Sequence, residues 1–195
     1  MIIENGAGDG KKLKINGRNE AAVFAITEDE AQAAAELGNA YTINSGEETF
    51  AASTSSGLLY FKNDEEQDVV VEGFSLGFKN STCTDDLLSV YVIRNPNAGT
   101  LVSAATDVDI NKNRNFGSSK TLKTTTLAYK STAQNQTLTG GDDVYLLHAS
   151  KSGRFFERIN MELPRGSSIG IRVDSASLAT TCYAEIVLHT KDSDR

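Results

Sequence analysis

A chain of 195 residues with a net charge of −7 has room for one well-buried core, and a β-sandwich with an extra N-terminal segment suits that length better than two full domains. The negative balance argues against nucleic acid or a membrane surface as partner, since phosphate binding needs clustered Lys and Arg, and no apolar run approaches the roughly 18 residues of a membrane-spanning helix. Cys83 and Cys182 are too few for a disulfide framework and are expected as reduced thiols on strands.

Residues 1–20 are glycine-containing and lack a compact apolar pattern, so nothing in them offsets the entropy of folding alone. They are expected to form an extended N-terminal arm. Met1-Ile2-Ile3-Glu4 has neither the basic start nor the apolar run of a secretory signal, so the chain is expected to stay where it is made. Lys11, Lys12, Lys14 and Arg18 group four positive charges, and Leu13 and Ile15 alternate with Lys12 and Lys14. That alternation suits a strand added to the edge of a neighbour's sheet, which makes these six residues candidate interface residues.

Residues 21–39 read as a connection containing one short helix. Thr27 is placed as N-cap and Glu30 as its capping-box partner, followed by Ala31, Ala33, Ala34, Ala35 and Leu37, with Gly38 as the stop. An alanine face buries little area, so this helix is expected to lie against another element.

From residue 40 to 195 the texture becomes short β-branched, aromatic and leucine runs between Gly, Asn, Asp and Ser clusters. Expected strands are Tyr41–Asn44, Thr49–Ala52, Gly57–Lys62, Asp68–Phe78, Leu87–Arg94, Lys120–Ala128, Val144–Ala149, Arg154–Met161, Ser168–Val173 and Cys182–His189. In the last of these, Tyr183, Glu185, Val187 and His189 oppose Cys182, Ala184, Ile186 and Leu188, the period of a strand with one face in and one out. The fold class that follows is all-β: a two-sheet, jelly-roll-like β-sandwich with an N-terminal arm and one short helix.

Residues that move protons or hold metals are scarce. His148 and His189 both fall inside expected strands, and no nucleophile, dinucleotide, phosphate-loop or zinc motif accompanies them, so no enzyme activity and no cofactor are expected. Asp107-Val108-Asp109-Ile110-Asn111 imitates the start of a calcium loop, but Lys112 stands where the loop needs glycine and Ser118 where it needs glutamate. Gly140-Gly141-Asp142-Asp143 reads as a turn with solvated carboxylates. The acceptor triplets beginning at Asn80 and Asn135 carry no weight without secretion. The absence of Trp and of a visible aromatic cluster weakens a sugar-stacking platform.

In Asn113-Arg114-Asn115-Phe116 an arginine and an aromatic stand side by side, the composition of an interface hot spot. The alternative is structural, with Phe116 plugging the end of the sandwich and Arg114 pairing with Asp107 or Asp109.

Four phrases carry a resemblance: Asn39-Ala40-Tyr41-Thr42-Ile43-Asn44-Ser45-Gly46, Arg94-Asn95-Pro96-Asn97-Ala98-Gly99-Thr100-Leu101, Asn113-Arg114-Asn115-Phe116-Gly117-Ser118-Ser119 and Leu163-Pro164-Arg165-Gly166-Ser167-Ser168-Ile169-Gly170. Together they resemble virion structural proteins of tailed bacteriophages, of the kind that decorate or cement the capsid. The resemblance implies a protein made in the host cytoplasm that binds the major capsid protein on the outside of the virion, commonly as a homotrimer, with its arm along neighbouring coat subunits. A head-fibre or tail-appendage module that binds carbohydrate or a host receptor is the alternative expectation.

Overall fold

The computed structural model describes residues 30–51, 55–79, 87–100, 112–128, 136–150, 153–174 and 180–191. The arm with Lys11, Lys12, Leu13, Lys14, Ile15 and Arg18 lies outside the described residues, as do Thr27, Cys83, the Asp107–Asn111 segment, Asn80 and Asn135.

One helix, α1 (Glu30–Glu36), opens the described chain. Gly38 adopts φ +73°, a conformation without steric cost only for glycine, and this lets the chain fold back on the last turn. Asn39 N–H then donates to Ala34 O at 2.7 Å and Gly38 N–H to Ala35 O at 3.1 Å, the paired bonds of a glycine-terminated helix. Ala33 and Ala34 are buried, and the helix lies against the first and last strands, as an alanine face requires.

Eleven strands follow: β1 (Ala40–Asn44), β2 (Glu48–Phe50), β3 (Ser55–Asn63), β4 (Val69–Lys79), β5 (Leu87–Arg94), β6 (Lys112–Asn113), β7 (Thr124–Ala128), β8 (Asp142–Ser150), β9 (Gly153–Leu163), β10 (Ser168–Asp174) and β11 (Thr180–Thr190). They form two antiparallel sheets. One runs β6-β1-β11-β4-β9, with β2 also on β11; the other runs β7-β3-β10-β5-β8. Setting aside the added strands β2, β6 and β7, the sheets order the remaining eight as first-eighth-third-sixth and second-seventh-fourth-fifth, which is the winding of a jelly roll. The all-β sandwich expected from the sequence is the observed fold.

The core lies between the sheets. Phe50, Phe61, Phe74, Leu76, Ile171 and Ile186 are among its fully buried side chains, each contributing roughly 1.5–3 kcal/mol on leaving water. The face of β11 predicted to point inward, Cys182, Ala184, Ile186 and Leu188, is buried. Cys182 is a free thiol, and burial pushes its pKa far above the usual cysteine range, so it packs as a small apolar side chain.

Two irregularities shape the outer face of the six-stranded sheet. β1 and β2 pair with successive parts of β11, and Ser45 fills the break: its N–H donates to Ala184 O at 2.8 Å, and its Oγ accepts from Ala184 N–H at 2.8 Å. Further along, the register slips between Val71 and Gly73 on β4, and Asn160 on β9 takes φ +43° beside the slip. Such bulges re-aim the side chains around them.

The expected strand from Lys120 begins only at Thr124. Asn113 Nδ2 donates to Lys120 O at 3.1 Å and Ser118 Oγ accepts from Lys120 N–H at 3.2 Å, so side chains take up the backbone groups that a ladder would have used. The two-residue β6, pairing with Tyr41 and Thr42, has no counterpart among the expected strands because it is too short to show an alternation.

Candidate functional site

The loop after β6 is held to the end of α1 by its own side chains. Asn113 Nδ2 donates to Gly38 O at 2.9 Å, Asn115 Nδ2 to Glu36 O at 2.8 Å, and Lys120 Nζ to Leu37 O at 2.9 Å. Three carbonyls left over at the helix terminus are thereby satisfied. Within the loop, Asn113 Oδ1 accepts from Asn115 N–H at 2.9 Å and Asn115 Oδ1 from Gly117 N–H at 3.0 Å, side-chain turns that fix the backbone.

Phe116 stands at the tip of this braced loop with 103% relative exposure. The plug alternative therefore fails: the ring is outside the core. Arg114 donates through Nη1 to Glu72 Oε1 at 2.9 Å, and its backbone N–H bonds Ala40 O at 2.9 Å. Of the four loop candidates, Asn113 and Asn115 spend their hydrogen bonds on positioning, Arg114 holds Glu72, and Phe116 alone reaches out.

Glu72, at the β4 slip, is the residue that sequence reading missed here. Its Oε1 accepts from Arg114 and also lies 3.2 Å from Nδ1 of His189, a buried side chain on the outer face of β11. The hydrogen bond with His189 is the largest influence holding the Glu72 carboxyl below its usual range; burial opposes it and the Arg114 charge assists. A carboxylate depressed in the folded state stabilises the fold above its unfolded-state pKa, and that contribution disappears as pH falls through the folded-state value. Glu72→Gln is thus expected to lower stability in urea unfolding near neutral pH, with the gap from the natural chain closing below the glutamate range. A gap that stays constant with pH would show that the charge is not its source.

Among the described residues β8 and β9 end their sheets, and Val144, Leu146, Phe155 and Phe156 on them are exposed large hydrophobics. The carboxylates read as solvated in Gly140–Asp143 are exposed, and each also meets an arginine: Asp142 pairs with Arg94 at 2.7 Å and Asp143 with Arg172 at 3.1 Å, while Arg172 also stacks 4.1 Å over the Tyr91 ring. His148 lies on β8 with Nδ1 3.2 Å from Ser89 Oγ. Among the described residues no group of three or more His, Cys, Asp or Glu is arranged to hold a metal ion, and no helix is long and apolar enough to cross a membrane.

No protein-family model matches the chain, and no curated protein is significantly similar to it.

Proposed function

We propose that this chain is a non-enzymatic virion structural protein that binds the outer surface of a phage capsid and reinforces it. The observation that carries the reading is Phe116, a fully exposed aromatic on a loop braced against α1. An anchor already fixed before contact loses little freedom on binding, which is how a small surface becomes adhesive. The resemblance of the four turn phrases to decoration proteins supplies the viral setting, and the major capsid protein is the partner it implies.

Self-association into a trimer belongs to the same proposal. The β8 and β9 edges, unpaired among the described residues and carrying Val144, Leu146 and Phe155, suit contact between copies, because long unpaired edges with apolar side chains otherwise invite uncontrolled pairing. Lys11, Lys12, Leu13, Lys14, Ile15 and Arg18 are proposed as the clamp that adds edge hydrogen bonds and charge pairs on neighbouring coat subunits.

The test is binding of the purified chain to capsids of its phage assembled without it. Sedimentation should recover the full chain with the shells, and a variant lacking residues 2–18 should remain folded and stay in the supernatant. Equal occupancy by the shortened chain would overturn the clamp, and absence of any shell binding by the full chain would overturn the function.

A further inference from the structure

The outer face of the six-stranded sheet carries a cleft of about 330 Å³ beside the β4 slip, lined in part by Glu30, Glu72, Phe156, Arg158, Asn160 and His189. That volume falls within the small-molecule range. Phe156 is 53% exposed, and its ring rests over the β4 backbone at Gly73, where a Cβ would press against it and collide with Glu157 O. Glycine at this slip leaves a flat aromatic surface supported from below and, among the described residues, open above.

Unspent polar capacity surrounds that ring. Glu72 uses Oε1 for both Arg114 and His189, leaving Oε2 without a partner among the described residues. The side chains of Arg158 and Asn160 likewise have no partner among them. His189 is 5% exposed at its side chain, with Nδ1 facing the Glu72 carboxylate and Nε2 buried without any hydrogen-bond partner. The Glu72 carboxylate can only accept, so Nδ1 is the donor in that contact, and Nε2 is left as an orphaned buried polar atom that requires an explanation.

We propose that this cleft is a binding site for a neutral saccharide, with the C–H face of one pyranose ring on Phe156 and its hydroxyls bonded to Glu72 Oε2, Arg158 and Asn160. Acceptors and donors are interleaved around one aromatic face, which is what a ring with an apolar side and a fringe of hydroxyls complements. His189, whose buried Nε2 has no hydrogen-bond partner, is part of the same lining. An anion would meet the carboxylates of Glu30 and Glu72. A metal ion finds no ligand cluster among the described residues, and an apolar ligand would strand the polar groups. The described lining of the cleft does not include Phe116, so its test is separate from that of the shell anchor.

Saturation-transfer NMR on the full chain against glucose, galactose, mannose and N-acetylglucosamine, with N-acetylneuraminic acid and inorganic phosphate alongside, tests the assignment. At least one neutral sugar is expected to bind saturably with a Kd of roughly 1 mM. Phe156→Ala and Arg158→Ala should each weaken it by about tenfold, Arg158→Ala with an unchanged melting temperature because its exposed side chain has no partner among the described residues, whereas Phe116→Ala should bind like the natural chain. No saturable binding by any neutral sugar, binding by the anions alone, or full binding by Phe156→Ala would overturn the proposal.

Discussion

Phe116→Ala is expected to weaken binding to bare capsids by about thirtyfold or more, the loss of a hot-spot aromatic worth at least about 2 kcal/mol, and to leave the melting temperature unchanged. The two halves follow from one fact: the ring is fully exposed, so removing it creates no cavity. Shell co-sedimentation across a concentration series measures the first half, and thermal unfolding measures the second. Arg114→Ala should behave differently, because Arg114 bonds Glu72 and its loss unbalances the Glu72–His189 pair. A lowered melting temperature with Phe116→Ala, or full shell binding, would contradict the anchor role.

The largest expected loss of stability belongs to Asn63→Ala. Asn63 is fully buried at the end of β3. Its Nδ2 donates to Gln67 O and to Leu163 O, both at 2.9 Å, and its Oδ1 accepts from Glu65 N–H at 2.9 Å. Its backbone joins the same knot through Ser167 O at 3.0 Å and Gly166 N–H at 2.8 Å. Alanine would leave three main-chain groups without their partner, and buried groups so stranded cost about 1–3 kcal/mol each before relaxation. A total near 3 kcal/mol is expected, which for a chain of this length lowers the melting temperature by roughly 6–12 °C. Chemical denaturation gives the direct reading, and a change under about 1 kcal/mol would show that water replaces the side chain in this knot.

The sandwich was legible because its strands alternate, and alternation survives without knowledge of partners. β11 shows this best: the residues at even positions from Cys182 to Leu188 are apolar and buried, while Glu185 on the other face pairs with Arg154 at 3.0 Å. The four phrases that carry the resemblance are brought together in pairs by the structure. Asn95 N–H donates to Ser168 O at 2.8 Å, and Ser168 Oγ donates to Pro96 O at 2.7 Å, joining the second phrase to the fourth. Asn113 pairs with Tyr41, joining the third to the first. Asparagine, serine and glycine recur in these phrases because their side chains and backbones lock turns against turns.

The cleft was not legible for the complementary reason. Glu72, Asn160 and His189 are separated along the chain and meet only because β4 lies between β11 and β9, with slips on both sides. Such slips have no signature in a run of alternating residues. Phe156 and Arg158 fall in the expected strand Arg154–Met161 and Glu72 in Asp68–Phe78, with nothing in either run to mark them as neighbours. The arm residues, by contrast, were singled out by charge and spacing alone and lie outside the described chain.

The central position of β11 bears on how the molecule is made. β11 is hydrogen-bonded to β1, β2 and β4, all of them far upstream. Until residues 180–190 have left the ribosome, β2 lacks the strand it pairs with, β1 has only the two-residue β6, and β4 has only β9 on one side. A sheet closed by contacts so distant in sequence forms slowly, and the nascent chain meanwhile displays unpaired edges that favour aggregation. Yield on overexpression should therefore depend on temperature and chaperone supply more than the compact final fold suggests.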